Sequence, residues 1–211
     1  MMADGWVKRT SAGDEYMVTF KIAGLAGQVL ERTDVSRVAG DFVVQLRRKT
    51  GESAHLSVPG EDTAVHLIND LAEGVIVRSR FGELVSYHAS AVGKVLLAYD
   101  VELCERVLRR PLDRHTEYTL VDAADLRAEL SRVRQCGYAI DNRQDMLYMR
   151  CVAAPVFDHR GVNIAALGIS APAMRFTDER LDAALGDVTE TAAQLSQTLG
   201  YVSPRINRGT A

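Results

Sequence analysis

The sequence predicts an α+β domain in which helices pack on an antiparallel sheet. Two apolar runs, residues 151–157 and 162–170, flank the polar turn Asp158-His159-Arg160-Gly161 and read as a hairpin at the centre of a sheet. Both are too continuously apolar to leave one face wet, so helices or a second layer must cover them. Further β runs at 53–58, 63–67 and 74–79 lie so close together that an antiparallel meander is the simplest arrangement. The chain of 211 residues, 47% hydrophobic and 25% charged, is long enough for one sizeable core and a small appendage.

Residues 5–9 and 15–20, two short alternating runs around Thr10-Ser11-Ala12-Gly13-Asp14, predict a β-hairpin too small to stand alone. Over 21–31 the apolar positions Ile22, Leu25, Ala26, Val29 and Leu30 follow helical spacing. Gly24 and Gly27 each cost that helix about 1 kcal/mol against alanine, so it needs packing and reads as a linker. Thr33 or Asp34 can cap a second helix, with Val35, Val38, Phe42 and Leu46 on one face. Arg47-Arg48-Lys49 before Gly51 make a solvated last turn that the helix dipole favours. Pro59-Gly60 and Phe81-Gly82-Glu83 break the strands that follow. His55 and His66 stand about one hairpin apart with no further ligands at zinc spacing, and read as ordinary sheet histidines.

Ser90 is a credible N-cap for an apolar helix, and the small Ala89, Ala91 and Gly93 let a ligand or strand approach the free N–H groups of its first turn. Gly93-Lys94 lacks the earlier glycine and following Ser or Thr of a phosphate loop. Residues 100–109 form a short charged helix before Pro111. Asp122 caps a helix over 123–136 with Leu126, Leu130 and Val133 buried and Gly137 as its stop. Thr177 caps the last helix, where Asp178 and Glu179 suit the positive end and Leu181, Leu185, Val188, Ala192, Leu195 and Leu199 recur at spacings of four and three. Gly200 ends it, and 201–211 is a polar, loose tail.

A net charge of −3 argues against a strongly basic nucleic-acid-binding domain. Cys104, Cys136 and Cys151 lack CxxC spacing and leave one over from any pair, which favours free thiols in a reducing cytoplasm. No run approaches the ~18 apolar residues of a membrane span. Neither a metal site nor a cofactor motif is expected. An enzyme would be a thiol hydrolase, with Cys151 as nucleophile, His88 or His159 as base and Asp141 orienting it. Against this, burial in an apolar run raises a thiol's pKa and His159 lies at the far end of the strand, so no catalytic residue is expected. A ligand-responsive dimerisation module without DNA contact is a third reading.

The succession His88-Ala89-Ser90, Gly93-Lys94 and Leu97-Ala98; Tyr118-Thr119; Leu126, Glu129-Leu130, Val133-Arg134 and Gly137-Tyr138-Ala139; Asp141; Cys151-Val152-Ala153-Ala154-Pro155-Val156; and Ala165-Ala166-Leu167, Ile169-Ser170 and Pro172 resembles the effector-binding domain of IclR-family transcriptional regulators. Six separated blocks occur in order, and the likeness covers roughly residues 33–200. It implies a GAF-like domain, preceded by a wing hairpin over 1–20, the remnant of a winged helix-turn-helix, and by a linker helix over 21–32, with 201–211 as tail. No three-helix segment precedes the wing here, so Lys8 and Arg9 are expected to touch DNA only weakly, at phosphate.

The resemblance also implies a small organic-acid effector, homo-oligomerisation as dimer or tetramer, and DNA binding by the whole regulator. Ala91 and Val92 match positions whose backbone N–H groups meet the ligand carboxylate. Asp141, Cys151 and Ser170 match side chains lining that pocket, and Val77 and Val85 would supply apolar walls. Gly168 stands where relatives often have serine, which removes a donor.

Overall fold

The computed structural model describes residues 5–10, 15–21, 23–24, 34–72 and 82–202, and the chain divides into two units, Met1–Arg37 and Val38–Ala211. In the first, β1 (Val7–Arg9) pairs antiparallel with β2 (Tyr16–Val18), setting Val7 opposite Val18 and Arg9 opposite Tyr16. Arg9 Nε donates to the Tyr16 hydroxyl at 3.2 Å, and the Lys21 ammonium lies 4.5 Å from the centre of the Trp6 ring, so cation–aromatic contacts support this hairpin. Most of the expected linker helix lies outside the described residues, as do the expected strand over 74–79, with Val77 in it, and residues 203–211 of the tail.

Helix α1 (Asp34–Thr50) buries Ala39, Val43 and Leu46 fully, while Val38 and Phe42 are half-buried. Val35 and Leu46 are buried as expected, whereas in the middle of the helix the buried positions are Ala39 and Val43, one residue beyond the expected Val38 and Phe42. Its basic last turn is tied down rather than simply solvated. Arg47 meets Asp70 at 2.7 Å and Lys49 meets Glu190 at 3.3 Å. Pairs this exposed are worth about 0–1 kcal/mol each.

Strands β3 (Ser53–Pro59), β4 (Ala64–Asp70), β5 (Leu84–Val85), β6 (Ala139–Asn142), β7 (Met149–Phe157) and β8 (Asn163–Pro172) form one antiparallel sheet of order β5-β4-β3-β8-β7-β6. The β7–β8 hairpin was legible from its turn. Asp158 Oδ1 accepts the N–H groups of Arg160 and Val162 at 2.9 and 3.0 Å, and Gly161 takes the left-handed conformation (φ 76°). Strands β5 and β6 have two and four residues, too few for alternation to announce them.

Direct pairing puts residues on a common face, and three rows cross this sheet together: Asp141, Cys151, Ser170 and Ser53; Ala139, Ala153, Gly168 and His55; and Ala166, Ser57 and His66. Helix α2 (Ala91–Tyr99) packs on β7 and β8 and against α4 (Ala123–Cys136). Helix α3 (Val101–Leu108) follows α2 in the chain and packs against it. Ala91, Val95 and Leu96 of α2 share one core cluster with Ala153 and Ala166 of the sheet and with Leu126, Leu130 and Val133 of α4. The intervening β7 and β8 residues, among them Val152, Val156, Leu167 and Ile169, face the other way, and α5 (Asp178–Thr198) packs on both strands. Both faces of the central hairpin are therefore covered, as its unbroken apolar runs require.

The helix ends follow their caps. Asp100 accepts from Leu103 N–H at 2.9 Å, Asp122 from Ala124 N–H at 2.7 Å, and Thr177 from Arg180 N–H at 3.4 Å; Gly137 closes α4 with φ 79°. Among the described residues no helix is long and apolar enough to cross a membrane. Gly93 has a packing reason: a Cβ there would lie 2.5 Å from the Tyr87 Cα and carbonyl oxygen. Gly93→Ala should therefore cost roughly 1–3 kcal/mol in urea unfolding. Gly40 of α1 has nothing within 4 Å of such a Cβ, and Gly40→Ala should stabilise by about 0.4–1 kcal/mol. Equal effects of the two would show that the approach of α2 to the Tyr87 backbone is unimportant.

Candidate functional site

The site starts from the first turn of α2. Ser90 Oγ accepts the Gly93 N–H at 3.0 Å, and the Lys94 N–H reaches the Ser90 carbonyl at 3.0 Å. No acceptor among the described residues meets the N–H groups of Ala91 and Val92. The free donors are thus two, and Gly93, which composition alone left open, is taken by the cap. A helix start with unmet N–H groups carries partial positive charge and favours an anion. It borders a cavity of about 430 Å³.

The sheet supplies the other side of that cavity. Asp141, Cys151 and Ser170 line it, as expected, and sit together because they share one row. Val85 lines it too, joined by Leu84, Met146 and Met149, which sequence reasoning did not single out. Asp141 is 1% exposed, and its Oδ1 accepts the N–H groups of Gln144 and Asp145 at 2.6 and 3.3 Å. It therefore caps the turn after β6 and faces the cavity at once. Burial lifts its carboxyl to about 6, with Lys94 and the Gln144 N–H pulling the other way.

Cys151 Sγ lies 3.2 Å from Ser170 Oγ, and burial, reinforced by the charge of Asp141, raises its thiol well above the ordinary range. His88 Nε2 lies 2.8 Å from the Asp113 carbonyl oxygen, and His159 packs beside Gly200 at the far end of β7. Neither histidine meets the thiol, whose neighbour is the Asp141 carboxyl, and a protonated thiol is no nucleophile, so the hydrolase reading fails on geometry and ionisation together.

Three features were not anticipated. His55 and His66, read as ordinary sheet histidines, both line the cavity at 3% and 7% exposure, with ring centres 4.6 Å apart. His66 Nδ1 is 2.7 Å from Ser57 Oγ. Burial holds His66 down at about 4 and pushes His55 well below its ordinary value too, with the neighbouring ring adding to the latter. Second, a Cβ at Gly168 would lie 2.6 Å from the Val152 carbonyl oxygen, 3.1 Å from the Ala153 Cβ and 3.2 Å from His55 Nε2, so the strand beside it and the histidine ring together take the space a serine would fill.

Third, Lys94 is fully buried. Its Nζ donates to the Ile140 carbonyl at 2.5 Å and to Gln144 Oε1, and lies 3.7 Å from Glu129 Oε1. It binds α2 to β6, to the turn after it and to α4. One lysine in an otherwise wholly apolar helix was the available signal. Lys8 and Arg9 are exposed on the separate N-terminal hairpin. Among the described residues no cluster of three His, Cys, Asp or Glu side chains could hold a metal ion.

A sheet covered on both faces, with a cavity closed by a helix N-terminus, is the architecture of a small-molecule-binding α+β domain. Residues 27–197 match the family described as "Bacterial transcriptional regulator IclR C-terminal", and the chain belongs to the IclR family. It is 34% identical over 200 residues to the HTH-type transcriptional regulator KdgR of Escherichia coli (strain K12), covering 93% of this chain and 76% of that protein. To the HTH-type transcriptional repressor AllR of the same organism it is 33% identical over 175 residues, covering 81% and 64%.

Among solved structures, the Thermotoga maritima IclR superposes with a TM-score of 0.80 at 30% identity, over 95% of this chain and 82% of that one. An IclR homolog from Microbacterium hydrocarbonoxydans, solved in complex with 4-hydroxybenzoate, gives 0.79 at 24% identity over 94% and 81%, which shows a shared fold. The chain is an IclR-type transcriptional regulator with an effector-binding C-terminal domain, and the relatives are named as regulators, not enzymes.

Proposed function

We propose that the cavity binds a small organic acid whose carboxylate accepts the N–H groups of Ala91 and Val92, and that this binding sets the regulator's affinity for DNA. The observation that carries the reading is the pair of unmet N–H donors at the start of a buried helix, facing a cavity of about 430 Å³. Cys151 and Ser170 supply polar contacts beside them, and Val85 an apolar wall. Asp141 would repel an anion if ionised, so it faces a hydroxyl or keto-hydrate part of the ligand, or stays protonated. The complex of the Microbacterium hydrocarbonoxydans homolog with 4-hydroxybenzoate, an acid with a hydroxyl, is in keeping with this. Lys8 and Arg9 would contribute phosphate contacts, which position a protein on DNA without specifying bases, within a homo-oligomer.

A thermal-shift screen of aromatic and keto acids tests the site. Saturation at ~100 times the dissociation constant should stabilise the fold by about 2.7 kcal/mol. For a domain of this size that is a rise of roughly 5–11 °C. Ala91→Phe should abolish it by blocking the helix end, and Ser170→Ala should shrink it. No shift across a broad carboxylate library, or an undiminished shift in Ala91→Phe, would overturn the reading.

A further inference from the structure

We propose that His55 and His66 form a second polar subsite in the same cavity, which takes an oxygen at the far end of the ligand and makes the effector a bifunctional acid, either a hydroxy acid or a dicarboxylate. This rests on the helix-end reading for the first carboxylate. The two rings come from neighbouring strands, β3 and β4, and both line the cavity with ring centres 4.6 Å apart.

Ser57 Oγ occupies one nitrogen of His66, and the other has no partner among the described residues. His55 Nδ1 is buried and also without one. Buried polar atoms in native proteins are almost always hydrogen-bonded, so the orphaned His55 Nδ1, with the open His66 Nε2 beside it in the cavity lining, calls for an oxygen that is not part of the chain. A neutral imidazole has one N–H and one lone pair. If Ser57 donates to His66 Nδ1, Nε2–H is the donor left to the ligand; in the other tautomer Nε2 accepts. A hydroxyl satisfies either state, whereas a carboxylate needs the donor. Gly168 leaves room for the ring: a Cβ there would lie 2.6 Å from the Val152 carbonyl oxygen and 3.2 Å from His55 Nε2.

Other ionisable groups lining the cavity are Glu83 before β5, Asp141 on β6, Asp145 in the turn after it, the Tyr148 hydroxyl just before β7, and the Cys151 thiol on β7. All are acids, so the histidine pair is the only lining, among the described residues, whose side chains can become cationic and meet a second anion. A dicarboxylate should therefore bind with uptake of a proton from solution onto the pair. A hydroxy acid needs none.

Calorimetry on the full chain near pH 7, in two buffers of different ionisation enthalpy, tests this with an aromatic series (benzoate, 4-hydroxybenzoate, terephthalate) and an aliphatic one (butyrate, 4-hydroxybutyrate, succinate). Within a series that binds, a bifunctional acid should bind about tenfold tighter than the plain monocarboxylate, the effect of one well-made hydrogen bond. His66→Leu should remove that preference, read as the ratio of the bifunctional acid's affinity to the monocarboxylate's in the same variant, with His66→Gln as the milder variant should leucine not fold. Buffer-dependent enthalpy that His66→Leu removes identifies a dicarboxylate held by the histidines; enthalpy whose buffer dependence His66→Leu leaves unchanged identifies a hydroxy acid. A monocarboxylate that binds as tightly as both partners, or histidine variants that weaken all three acids equally, overturns the subsite while leaving the helix-end site standing. No binding in either series overturns the helix-end site itself.

Discussion

Lys94→Ala is expected to cost roughly 3–5 kcal/mol of folding stability, the range seen when one partner of a buried charged network is removed. The ammonium is fully buried and meets the Ile140 carbonyl, Gln144 Oε1 and Glu129 at once. Burial lowers its pKa, and Glu129 and Asp141 resist that shift, so the cation is held by its neighbours. Truncation would leave the Ile140 carbonyl and the Gln144 amide without their donor and open a cavity the length of the side chain. Glu129 would keep only Arg132, which donates to it at 2.8 Å. Lys94→Met keeps most of the volume and loses the donors, so the gap between the two variants in denaturant unfolding separates packing from polarity. An Ala variant within about 1 kcal/mol of wild type would show that the network contributes little net stability.

Acid should unfold this chain earlier than its carboxylates alone would require, with stability falling between pH 6.5 and about 4. In the folded chain His66 titrates near 4 against 6.5 when free. Below pH 6.5 the unfolded chain takes up a proton that the folded chain refuses, so stability that is complete above 6.5 is lost as the pH falls toward 4. From His66 alone that loss is roughly 3 kcal/mol, and His55 is shifted in the same direction. Asp141 works against it: its folded value of about 6 lies above the free 3.8, so over that window the folded chain binds the proton more readily and gains stability as the pH falls. His66→Gln should flatten the fall, and Asp141→Asn, whose side-chain oxygen can still accept from Gln144, should steepen it. Denaturation midpoints at stepped pH report all three. Parallel profiles for wild type and His66→Gln would contradict the ionisation assigned to the pair.

What could be read in advance was local. The caps at Ser90, Asp122 and Thr177 each act within three residues, and the turn at Asp158 is defined by its own side chain, so sequence carried them. Strand register is not local. His55 faces the cavity because it pairs with Gly168 far along the chain, and nothing around either residue announces the pairing. Lys94 eluded reading for a related reason, since its three partners sit on other elements. The phase of α1 could not be fixed because its apolar residues support two stripes, and only Ala39 against the core decides between them. Asp141 was placed with Cys151 only by the resemblance, because β6, the strand that pairs the two, has four residues, too few for alternation to show.

The central claim is that an acid is held by two backbone amides at the start of α2. Amide resonances of Ala91 and Val92 in isotope-labelled chain, followed through titration with whichever carboxylate gives the largest thermal shift, test it most directly. The account predicts that these two signals move furthest and saturate with the thermal response, while that of Gly93, already bonded to Ser90, moves less. Saturation with the Ala91 and Val92 signals unmoved would contradict it.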